Sequence, residues 1–136
     1  MTPDAQRHRP DPGEETLTEE RCHILETWNR ADDPDLSVAR ARIQPGIATR
    51  WHRLQGIGER YLIVAGQGLA EVEGMGRAPV QPGDLLYIPA GRAQRIRNTG
   101  NEDLIFYALC TPRFDAAAYQ DLEGPFGAGR GNEEET

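Results

Sequence analysis

Lysine is absent from this chain. All 15 basic residues are arginine, set against 22 Asp and Glu, for a formal net charge of −7 over 136 residues. No concentrated basic face can form from this acidic, dispersed pattern, so nucleic acid is disfavoured as a partner. Cysteine is scarce too. Cys22 and Cys110 are too few for a disulfide framework or a Cys-x-x-Cys metal knuckle, and both read as free, buried thiols in strands. No apolar run is long enough to span a bilayer, and the N-terminus has no hydrophobic leader, so the expected setting is soluble and cytoplasmic, with no membrane partner.

A chain of this length suits one domain with one modest core. Pro, Gly and charge dominate its start, which reads as a flexible arm over 1–16. A β domain over 17–123 follows, then a flexible Gly/Glu-rich tail over 124–136. Short apolar stretches recur between Gly/Pro turns: strands are expected over 22–28, 36–43, 48–54, 59–65, 69–73, 77–80, 85–88, 93–98 and 104–110. Residues 29–35, with three Asp and a Pro, read as a loop. Asp115 and the three alanines after it suit a short helix within 114–122. Many strands at such spacing argue for an antiparallel sandwich or barrel.

Strand parity selects the polar residues of interest. Arg50, His52 and Leu54 share one face of their strand; Glu59, Tyr61 and Ile63 share a face of the next; Gln94, Ile96 and Asn98 share a third. Trp51 has the opposite parity to His52 and belongs on the other side of its sheet. Arg40 and Arg42 share a strand face that is either solvated or in need of anions. The strand 104–110 is apolar on both faces, so both call for cover, one of them from the core and the other from a second chain. His8 and His23 need no functional explanation. Cys110 is either a pocket thiol or a core cysteine.

Two stretches carry a resemblance. The first is Gly46, five residues, His52, one residue, Leu54, four residues, Glu59, six residues, Gly66. The second is Gly83, five residues, Pro89, one residue, Gly91, two residues, Gln94, three residues, Asn98. Together they resemble the two motifs of the cupin family, in its small single-domain bacterial form, over roughly 43–111. The departures are Leu54 and Gln94, each where the family has His. The resemblance implies an all-β fold, a double-stranded β-helix (jelly-roll) barrel with a short C-terminal helix, commonly paired as a homodimer. It also implies a divalent metal inside the barrel, held here by His52, Glu59 and Gln94. Fe, Mn, Ni, Cu or Zn could occupy such a reduced donor set, or no metal at all, with His52 and Glu59 left as a hydrogen-bonded pair. Tyr61 and Arg50 are the substrate-contacting candidates, Arg50 through a bidentate clamp on a carboxylate. The glycines mark positions of positive φ or close strand crossing.

Function is less constrained than fold. One reading is an oxygenase, isomerase or lyase acting on a small oxygenated molecule with metal assistance. The alternative is a non-catalytic domain that binds or senses a small ligand in the same cavity. Paired carboxylates of the glycosidase type and a Ser/His/Asp arrangement in a convincing context are missing.

Overall fold

In a computed structural model that describes residues 2–124, the described residues form eleven strands in two facing antiparallel sheets. The strands are β1 (Thr16–Leu17), β2 (His23–Arg30), β3 (Asp33–Ile43), β4 (His52–Leu54), β5 (Gly58–Ala65), β6 (Gly68–Val72), β7 (Gly76–Val80), β8 (Leu85–Ile88), β9 (Gln94–Asn98), β10 (Leu104–Thr111) and β11 (Tyr119–Asp121). One sheet runs β1-β2-β3-β10-β5-β8 and the other β11-β4-β9-β6-β7. The arrangement is the jelly-roll-like, two-sheet architecture that the resemblance implies. No helix among the described residues is long and apolar enough to cross a membrane. Except for Gly124, the expected tail lies outside the described residues.

Alternation drives the assembly. In β5, Glu59, Tyr61 and Ile63 turn inward while Leu62 and Val64 face out; in β9, Gln94, Ile96 and Asn98 turn inward while Arg95 and Arg97 do not. Inward side chains of both sheets, among them Ile43, Ile63, Ile88, Ile96, Leu104 and Phe106, form the main core. Strand β10 is central to its sheet, paired with β3 on one side and β5 on the other. On its neighbour β3, Ala41 and Ile43 are buried, while Arg40 and Arg42 emerge on the other face. Those guanidiniums find anions: Arg42 holds Glu15 at 2.7 Å and Asp103 at 3.0 Å, and Arg40 reaches Glu15 at 3.2 Å. The last residues of the expected arm are therefore pinned to the sheet, with Thr16 opposite Ile24 in β1–β2.

Three local expectations change. The expected loop over 29–35 is a hairpin: β2 continues to Arg30 and β3 begins at Asp33, with the Trp28 indole donating to Asp33 at 2.8 Å across the turn. The expected strand over 48–54 shrinks to His52–Leu54. Thr49 accounts for this, because its hydroxyl, at 3.0 Å, accepts the Ile96 backbone N–H. The expected helix within 114–122 is a single 3₁₀ turn, Ala116–Ala118, followed by β11. Asp115 caps the turn as its sequence suggested, accepting from Ala117 N at 3.0 Å. Nine residues are too few for a helix to stand alone, whereas the edge of β4 offers backbone groups to pair with.

Asn98 is a structural clip. Its amide donates to the Ile43 and Glu102 carbonyls at 2.8 and 2.7 Å and accepts from Gly100 N at 2.9 Å, tying the turn after β9 to the end of β3 from a fully buried position. Gly66 is required twice over: its φ is +86°, and a Cβ there would lie 2.5 Å from the Asp103 carbonyl oxygen. Gly46 shares the positive φ, +79°, but has nothing within 4 Å. Gly66→Ala should therefore cost roughly 2–4 kcal/mol and Gly46→Ala only about 1 kcal/mol. Urea unfolding of both variants checks this, and equal losses would refute the close approach at Gly66.

Candidate functional site

The expected residues meet between the sheets. A single ladder rung between β4 and β9 sets His52 opposite Gln94, and β5 faces them with Glu59 and Tyr61. All four side chains are buried. Gln94 links the sheets: its Nε2 donates to Glu59 Oε1 at 2.6 Å, and its Oε1 accepts from the Tyr61 hydroxyl at 2.7 Å. Behind Glu59 stands Cys110, its cross-strand partner on β10, whose thiol donates to Oε2 at 3.6 Å. Cys110 is thus a core cysteine, buried in an apolar cluster with Leu54 and Ile57, that supports Glu59 from behind.

Burial pushes the Glu59 carboxyl above its ordinary range; the Gln94 hydrogen bond and the His52 ring work against that, and the Glu20 charge adds to it. Burial, then the charge of Glu59, also raises the Tyr61 phenol, so Tyr61 is a neutral donor. Its ring stacks on Phe106 with centroids 4.2 Å apart, which fixes the hydroxyl on Gln94.

His52 is oriented by backbone. Its Nδ1 lies 2.6 Å from the Arg50 carbonyl, so the neutral ring carries its proton there and leaves Nε2 as an acceptor. Nε2 faces Glu20 Oε1 at 3.9 Å, and the imidazole stacks on the Tyr119 ring at 5.0 Å with an interplanar angle of 18°. Sequence reasoning missed both neighbours. Tyr119 arrives through the β11–β4 pairing, which no local pattern announced, and Glu20 comes from the turn before β2.

A small inner cavity of about 50 Å³, touched by His52, Glu59 and Tyr61, lies beside a chamber of about 670 Å³. Glu20, Phe114 and Tyr119 line both. Arg50 lies on the wall of the chamber, and its clamp is already filled: Nε and Nη2 reach the two oxygens of Asp121 at 2.8 and 3.1 Å, and Nη2 also reaches the Gly124 carbonyl at 2.9 Å. Trp51, on the other parity, lies under the Arg95 guanidinium at 5.3 Å.

The donors can be judged against a metal. Gln94 turns an N–H, not an oxygen, toward Glu59, and its oxygen is taken by Tyr61. Coordination would require the amide to turn over and give up both bonds. Leu54, at the position of the family's second His, belongs to an apolar cluster with Ile57 and Cys110. Among the described residues no group of three or more His, Cys, Asp or Glu is placed to hold a metal ion. As arranged, these side chains fit a hydrogen-bonded floor and do not fit a metal shell.

Such a fold and site define a small two-sheet β protein with polar side chains buried between its sheets. The cupin domain model matches residues 39–110, and the chain belongs to the cupin family. An oxalate-binding protein of Thermotoga maritima is 35% identical over 71 residues, 52% of this chain and 58% of that protein, so the match spans under two thirds of that curated relative. Among solved structures, a predicted oxalate decarboxylase from Thermotoga maritima is similar at a TM-score of 0.66 and 24% identity, covering 76% of this chain and 98% of that one. The Streptomyces nucleoside dehydratase Pac13 is similar at a TM-score of 0.70 and 14% identity, with 86% and 92% covered.

A raised carboxyl has a consequence for stability. Its contribution is fully present below about pH 4.5, the ordinary value, and is lost as pH rises through its higher folded value. The stability difference between wild type and Glu59→Gln should therefore move against the wild type as pH rises from 4.5, by at most about 1.4 kcal/mol per pH unit. Urea midpoints across that range measure it, and a flat difference would mean that burial does not perturb Glu59.

Proposed function

We propose that this cupin binds a small oxygenated molecule in the chamber and acts on it by proton transfer at His52 Nε2, as an isomerase or lyase would. The observation carrying this reading is the hydrogen bond between His52 Nδ1 and the Arg50 carbonyl, which leaves Nε2 as an acceptor at the inner cavity, facing Glu20. Glu59, Gln94 and Tyr61 serve as a rigid polar floor that holds one end of the ligand, with the Tyr61 phenol kept neutral. Tyr119, stacked on the imidazole, limits how its ring can tilt. Oxalate, named for the Thermotoga relative, is not adopted as the ligand, because Arg50, the cation of the chamber wall, already holds Asp121.

On this reading the freshly purified, untagged protein carries well under one metal ion per chain by elemental analysis. His52→Ala then abolishes ligand turnover without changing metal content, whereas Gln94→His raises metal retention by restoring an imidazole donor. Stoichiometric metal in the wild type that disappears in His52→Ala would replace this reading with the metal-assisted one. Ligand binding by the wild type with no turnover would favour a non-catalytic binding domain.

The expected homodimer has its own support. Leu62, Val64, Leu85 and Tyr87 are exposed on the outer side of β5 and β8, a sheet face apolar enough to be covered by a second copy. Sedimentation should find a dimer at micromolar concentration, and Tyr87→Glu should shift it toward monomer; a wild-type monomer there sinks the assignment.

A further inference from the structure

The two sheets turn unlike outer faces to their surroundings. Acidity spread along the sequence gives no reason to expect a basic face, yet strand pairing assembles one on the β11-β4-β9-β6-β7 sheet. Parity sends Arg53 of β4, Arg95 and Arg97 of β9 and Arg77 of β7 away from the core. Register then sets them side by side: Glu71 of β6 pairs with Arg95 on one side and Arg77 on the other, and Leu69 pairs with Arg97. Among the outward residues of these strands Glu71 is the one carboxylate, 2.9 Å from Arg95 Nε and 3.9 Å from Arg77 Nε. Arg53 donates to the neutral amide oxygen of Gln120. Trp51, at 5.3 Å from the Arg95 guanidinium, holds that fork flat against the sheet. Four guanidiniums against one carboxylate therefore share a patch about 15 Å wide, on a chain whose net charge is −7.

We propose that this face docks an acidic peptide segment of a partner protein, extended across the four strands with its carboxylates on the arginines. Guanidinium forks match carboxylates bidentately, which is the chemistry the face offers in excess. A segment of about five residues spans the patch and ends where the arginines do. Nucleic acid fits less well, because its phosphates continue past the patch onto an acidic molecule. The opposite outer face carries Leu62, Val64, Leu85 and Tyr87, so a second copy seated there leaves the arginine face outward on both protomers. Exposed ion pairs are individually weak, so docking needs several at once and fades as salt rises.

Hexaglutamate labelled with fluorescein is the probe, titrated with the full chain at low ionic strength and followed by anisotropy. It should bind, and hexaglutamine should not. Arg53→Gln combined with Arg77→Gln should weaken binding about tenfold, the product of two exposed pairs, with the thermal unfolding midpoint unchanged. Absence of hexaglutamate binding, or undiminished binding by the double variant, overturns the proposal. A short DNA duplex that binds as tightly as hexaglutamate overturns it in favour of nucleic acid. More than a tenfold gain on changing Glu133, Glu134 and Glu135 together to Gln assigns the face to this chain's own carboxylates instead. A change of oligomeric state in the Arg53→Gln, Arg77→Gln variant, measured by sedimentation, assigns it to a second copy and equally overturns the proposal.

Discussion

A carboxylate taken between two apolar sheets has to be given partners, and the Glu59–Gln94 hydrogen bond is where this protein does so. Glu59 belongs to β5 of one sheet and Gln94 to β9 of the other, so their 2.6 Å contact holds the sheets together at a fixed point. Tyr61 and Cys110 complete the arrangement, one on the far side of the amide and one on the second carboxylate oxygen. Deleting Gln94 would leave a buried acidic group without its main donor, a loss worth a few kcal/mol in comparable settings. Specific placement of the sheets and the polarity of the pocket floor thus have one origin.

His52 is presented by different means. Backbone, not a second side chain, sets its tautomer, and an aromatic ring from the end of the described chain holds its plane. Segments distant in sequence build the chamber outside it: the turn before β2, the residues leading into β4, and the 3₁₀ turn with β11. Their mutual ion pairs, Arg50 with Asp121 and Arg21 with Glu123, close the wall while using up its positive charge. Electrostatic character at the mouth is consequently acidic although an arginine stands in it.

Membership of the cupin family explains the glycines, the proline and the clip at Asn98, which are retained, better than it explains the chemistry. The two departures act together. Leu54 joins an apolar cluster with Ile57 and Cys110, and Gln94 converts a would-be ligand position into a bridge between Glu59 and Tyr61. A nitrogen-rich metal shell and an amide-centred hydrogen-bonded floor are alternative ways to satisfy the same buried carboxylate, and this chain's side chains are arranged for the second.

Period-two alternation was legible residue by residue: Glu59 with Tyr61, Gln94 with Asn98, and His52 with Leu54 all face inward as their parity requires, because a strand allows a side chain only two directions. Turn glycines were legible for an equally local reason, as Gly46, Gly66, Gly83 and Gly91 all take the positive φ that other residues avoid. Long-range pairing was not. Whether Gln94 would offer its oxygen or its N–H depended on Tyr61 lying behind it, and whether Arg50 could clamp a ligand depended on Asp121 reaching it from 71 positions away. The same holds for residues 114–122, whose alanines favour a helix in isolation, yet which lie along the free edge of β4 and deliver Tyr119 to His52. Sequence alone determined which residues face inward and where the chain turns, since those depend on neighbours a few bonds away. Tertiary structure decided which hydrogen bonds those inward residues spend on one another, since only packing of the two sheets brings the competing partners within reach.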